Sequence, residues 1–156
     1  MRRGDIILVN YRFDPIGHYI KKVTKGKFNH VAFVIDNERV VESRGKGIVI
    51  GSIKRYKNTL FFKMKVVRPE LNYKQLSKAV DYAVMQAGNE SNYFKFLYTL
   101  FSLKHRYFIK SSHKTCSGMI AEVLNIVGFQ FRNDKKPLQI TPEDINSSEG
   151  VDNVEE

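Results

Sequence analysis

The chain has 156 residues and carries 26 bases against 16 acids, a formal charge of +10, which fits one domain large enough to bury its own core. One cysteine, Cys116, excludes an internal disulfide, so the sequence carries no mark of an oxidising compartment. The opening residues, MRRGDIILVNYRFD, hold a short apolar run broken by Asn10, Arg12 and Asp14. They read as neither a signal peptide nor a membrane span, so a cytoplasmic protein is expected, with viral or phage delivery compatible.

In chain order, GDIILVN (4–10) predicts a buried strand, and HVAFVI (30–35) and RVVES (39–43) predict two strands joined by the turn residues 36–38. GIVIGSI (47–53) and LFFKMKVVR (60–68) predict two more strands, and no long helical period is read in this half. After Pro69 the pattern changes. Leu76, Ala79, Val80, Ala83, Val84 and Ala87 recur at helical spacing, with Asn72 as N-cap and Gly88 as the stop. The stretch 93–110 is aromatic and basic, and reads as a partly helical core segment with a basic rim or as an apolar lid facing a membrane. A helix opens at Cys116 and stops at Gly128, and Thr141 with Pro142 starts a short one. The expected architecture is α+β, a sheet from the first half covered by helices from the second. One domain spans 1–146. Residues 147–156 form an acidic tail, with four acids and no bases, that is expected to fray and leaves +14 on the body. That charge would attract a polyanion: an anionic polymer or a membrane surface. No specific nucleic-acid motif is present.

Cys116 stands where an apolar helical pattern begins. Unpaired N–H groups and the dipole at a helix start stabilise a thiolate and can hold an oxyanion. A nucleophilic thiol needs a base, and the base an orienting group. Among the four histidines, His18 and His105 sit in expected loop or surface stretches. His113 is near in sequence but upstream of the helix, and His30 opens a buried strand, a rigid mount. A three-residue turn at 36–38 would pair Ala32 with Glu42 and set Glu42 on the same face as His30, one diagonal step away. An even-length turn would separate them. Gly118 in the first helical turn is expected to leave room for substrate. No CxxC or HxxxH set suggests a metal, and no cofactor is expected.

These pieces resemble a known family. HVAFVIDNERVVES followed by GIVI resembles the HVGIYIG…VIE…GV hairpin of NlpC-type papain-like cysteine peptidases, and TCSGMIAEVL resembles their DCSGLV nucleophile helix. His30 and Glu42 stand twelve positions apart, as the histidine and third polar residue do in that superfamily. Here the histidine hairpin comes first and the cysteine helix last, the order of the circularly permuted YiiX/YaeF-like branch. The resemblance implies a permuted papain-like fold, an antiparallel sheet or small barrel packed on helices. It also implies a thiol hydrolase, an amidase or peptidase, with Cys116, His30 and Glu42 as triad and an acyl-enzyme, acting on cell-wall peptides or other acylated substrates. A peptide or acyl-amide is then the expected partner. Thr115 replaces the aspartate or tyrosine before the cysteine, and Tyr93 and Ser117 are the further candidates for the oxyanion or substrate site. Two alternatives stand beside this: a lipid-directed thiol esterase or acyltransferase at a membrane, and a non-catalytic basic binding protein on the same fold.

Overall fold

The computed structural model describes residues 1–44, 47–56, 60–88 and 115–154. Tyr93, the stretch 93–110, His105 and His113 lie outside these residues. Among the described residues the strands are β1 (Ile6–Tyr11), β2 (His30–Val34), β3 (Arg39–Arg44), β4 (Gly47–Ser52), β5 (Phe62–Pro69) and β6 (Val151–Val154). They form one open antiparallel sheet in the order β4-β3-β2-β1-β5-β6. The helices are α1 (Pro15–Thr24), α2 (Tyr73–Met85), α3 (Cys116–Asn125) and α4 (Pro142–Asn146), with 3-10 turns at Ile53–Tyr56 and Pro137–Gln139.

The unbroken run Ile6–Val9 becomes a central strand because both of its faces are covered, and all four residues are fully buried. Ile6 and Leu8 pack with Val31 and Phe33 against Ala79 and Ala83 of α2 and Ile120 and Leu124 of α3. Ile7 and Val9 face the other way, with Ala32, Val34 and Val40, under Ile53, Tyr56 and Phe62. Each such side chain contributes on the order of 2 kcal/mol by leaving water. Asn72 closes a capping box with Gln75 at the start of α2. Thr115 caps α3 by accepting from the Gly118 N–H at 2.9 Å.

Three features differ from the sequence reading. The first half does hold a helix, α1, so His18 lies on a helix and not in a loop. Its apolar positions 16, 19, 20 and 23 are at helical spacing, a signal short enough to be passed over. The tail does not simply fray, for Val151–Val154 pairs with β5 in register Asp152↔Arg68 and Val154↔Val66. Opposite charges meet across that pair, and the Glu70 N–H donates to the Gly150 carbonyl at 3.0 Å. Gly118 leaves room for the chain itself. A Cβ there would lie 2.8 Å from Thr115 Oγ1, 3.3 Å from Leu138 Cα and 3.4 Å from the Pro137 oxygen, so the glycine admits the 137–139 turn against α3.

Truncation after Glu149 should lower stability by about 1 to 2 kcal/mol, roughly 3 to 6 °C in Tm. A scan of the truncated chain checks this, and an unchanged Tm would mean that β6 contributes nothing.

Candidate active site

The β2–β3 hairpin sets the site. Phe33 pairs with Val41 and Val34 with Val40. The same register sets Ala32 opposite Glu42, which is the pairing expected of a three-residue turn. The turn is held locally, since Asp36 Oδ1 accepts from the N–H groups of Glu38 at 2.9 Å and Arg39 at 2.7 Å. His30 and Glu42 therefore share a face, and His30 Nε2 lies 2.9 Å from Glu42 Oε2. The His30 side chain is 15% exposed and that of Glu42 is 0% exposed.

A carboxylate with no exposed surface needs partners to stay charged. Three reach it. His30 holds Oε2, the Tyr56 hydroxyl donates to Oε2 at 2.8 Å, and Arg44 Nη2 lies 2.9 Å from Oε1. Gly51, on the neighbouring strand, completes the setting, because a Cβ there would stand 2.8 Å from Oε1. Burial pushes the Glu42 carboxyl up, but the bonds and charge of His30, with those of Arg44 and Tyr56, outweigh it and hold it at about 2. Burial and the Glu42 charge push the Tyr56 phenol far above its ordinary range, so it stays a donor.

His30 is also a hydrogen-bond partner of the thiol. Half-buried Cys116, at the first position of α3, is hydrogen-bonded to His30. Burial raises the thiol, but the bond and charge of His30 outweigh it, helped by the Val31 and Ser117 backbone N–H groups, and the net shift is downward. Burial lowers His30, and its bonds to Cys116 and Glu42 more than reverse this, raising it to about 9. The two shifts run in the directions that favour transfer of the thiol proton to His30. The Tyr11 ring covers His30 with centroids 5.9 Å apart.

The structure thus brings Cys116, His30 and Glu42 together. It gives the Ser117 hydroxyl a different partner, the Ile140 carbonyl at 2.6 Å, where it ties α3 to the segment before α4. Tyr56, Arg44 and Gly51 were not found from the sequence. Arg44 shares the face of Glu42 two residues on, a readable signal, whereas Tyr56 arrives from a 3-10 turn whose position only the fold sets.

A model of the permuted papain-like amidase family, YaeF/YiiX, C92, matches residues 1–144. The chain belongs to this family. It is a cysteine hydrolase of the amidase type, with the cysteine after the histidine in the chain. Among solved structures it is similar to the metalloprotein YiiX from Escherichia coli O157:H7, with a TM-score of 0.73 and 18% identity over 99% of this chain and 96% of that one. That similarity shows the permuted fold. A search of curated proteins finds no match. YiiX is described as a metalloprotein, but among the described residues here no three His, Cys, Asp or Glu side chains stand together as a metal site would require. No helix among the described residues is long and apolar enough to cross a membrane.

Tyr56→Phe should cost about 1.5 to 3 kcal/mol, the worth of a buried hydrogen bond to a charged group. Urea unfolding of the single variant, and of the pair with Glu42→Gln, checks this. The cost should shrink in the Glu42→Gln background, and equal costs in both backgrounds would uncouple Tyr56 from Glu42.

Proposed function

We propose that the protein hydrolyses amide bonds of peptides or N-acylated compounds through a Cys116–His30–Glu42 triad and a thioester intermediate. The reading rests on one observation: a thiol at a helix start bonded to a histidine whose Nε2 is held by a fully buried carboxylate. The Cys116 thiolate attacks the carbonyl carbon and forms the C–S bond. The Cys116 backbone N–H, at the positive end of α3, stabilises the oxyanion. The His30 imidazolium gives its proton to the amine as the C–N bond breaks. Neutral His30 then takes a proton from water, whose oxygen attacks the thioester. The acid leaves, and the proton gained by His30 restores the imidazolium beside the thiolate. Glu42 remains ionised throughout and holds Nε2–H, which fixes the ring orientation. A glutamate in the third place, as in YiiX-like proteins, favours amides over acyl transfer between lipids.

Hydrolysis of an N-acyl amino acid p-nitroanilide should fall at least about a thousandfold in Cys116→Ala with Tm unchanged. Retained turnover in that variant would overturn the proposal. The working pH window opens below the ordinary thiol range, as Cys116 loses its proton. It closes as pH rises through about 9, where His30 loses the proton needed by the leaving group. Because Glu42 helps to raise His30, Glu42→Gln should move the alkaline limb of kcat/KM to lower pH. An unmoved limb would remove Glu42 from the mechanism.

A further inference from the structure

Consecutive residues of a β-strand point to opposite faces, so they line one hollow together where it lies along the strand's edge. The run Phe62 to Val66 of β5 lines such a hollow, of about 520 Å³, together with Arg12 and with Val154, the last residue of β6. The pairing explains where it lies. On its inner side β5 pairs with β1 from Phe62 to Val67. On its outer side, among the described residues, it pairs only from Val66 to Pro69, because β6 ends at Val154. The hollow is the place that a strand in line with β6 would fill along residues 62–65, roughly 13 Å of edge. Such an edge presents backbone N–H and C=O groups to a further strand.

The two faces of this slot differ. Register sets Lys63 opposite Asn10 and Lys65 opposite Leu8. The Arg12 N–H donates to the Phe61 carbonyl at 3.1 Å, so Arg12 continues the row of Leu8 and Asn10. Arg12, Lys63 and Lys65 therefore share one face. Arg12 and Lys63 are exposed, and Lys65 Nζ donates to the neutral Asn146 Oδ1 at 2.6 Å. Phe62 and Met64 alternate with the lysines and lie on the other face, in the cluster of Val9 and Tyr56. Lysines on an open edge repel a strand of like charge, and a net charge of +10 makes a second copy of this chain a poor occupant. The same lysines attract an acidic strand. A lipid phosphate or a nucleic acid would satisfy the bases but leave the backbone edge unused.

We propose that the outer edge of β5 at residues 62–65 takes up an extended acidic segment of a partner protein, as a strand in line with β6. Its carboxylates lie on the side of Arg12, Lys63 and Lys65, and its apolar residues on the side of Phe62 and Met64. This docking is independent of the catalytic reading. Fluorescence anisotropy with a fluorescein-labelled peptide of sequence EVEVEVE tests it. The parent should bind this peptide and not its counterpart KVKVKVK. A strand turns alternate N–H groups to an edge, so methylating the glutamate nitrogens or the valine nitrogens should abolish binding in one case and spare it in the other. Lys63→Glu should weaken binding at least about fivefold, and Arg12→Glu should weaken it in the same direction. The rate of Cys116 alkylation should be unchanged in both variants and reports that the fold is intact. No binding of the acidic peptide would overturn the proposal without touching the triad. Binding that both methylated peptides retain would overturn it as well, by assigning the surface to charge alone. So would binding that appears only when Glu155 and Glu156 are removed, by assigning the slot to the chain's own end.

Discussion

Glu42 is a carboxylate with no surface in water, and the site is organised around keeping it charged. An isolated buried carboxylate would take up a proton. Here His30 and Tyr56 share one oxygen and Arg44 holds the other. Each comes from a different piece of chain: the start of β2, a 3-10 turn and the end of β3. The charge on Glu42 in turn raises His30, and a protonated His30 lowers Cys116. The reactivity of the thiol is thus set at one end by the helix start that bears it and at the other by a carboxylate it does not touch.

The sheet provides the rigidity that this chain of effects needs. Val31 and Phe33 anchor β2 on the helical side while Ala32 and Val34 anchor it on the other, so His30 is mounted on a strand fixed from both faces. The thiol is delivered by α3, which packs on the helical side through Ile120 and Leu124 and presents its first residue at the beginning of β2. Gly118 and Ser117 secure that helix to the segment before α4, one by admitting the turn 137–139 and the other by its bond to the Ile140 carbonyl. The side chain of Ser117 and the bare Cα of Gly118 therefore serve placement of the helix that bears Cys116.

Much of this was readable before the structure, for reasons that can be named. Strand alternation sets His30 and Glu42 on one face if the turn has three residues and on opposite faces if its length is even, and the observed pairing of Phe33 with Val41 makes it three. Asn72, Thr141 and Gly88 mark helix ends through local chemistry that tertiary contacts do not override. Helix α1 was written in the spacing of four apolar residues, but its ten residues gave a weak period. Strand β6 was not readable, since VDNV is polar and short, and it pairs on the edge that β5 offers, with Arg68 opposite Asp152. Tyr56 could not be read at all, since nothing local tells that a turn after β4 folds back over Glu42. The proposed roles of Tyr93 and of the aromatic stretch 93–110 lie outside the described residues.

The central claim is that His30 holds Cys116 as a thiolate, and the most direct measurement is the rate of Cys116 alkylation by iodoacetamide against pH, in the parent and in His30→Ala. The account predicts an apparent thiol pKa well below the free value of about 8.5 in the parent, rising to that value or above it in the variant, where burial acts unopposed. An ordinary thiol pKa in the parent, left unchanged by the substitution, would contradict it.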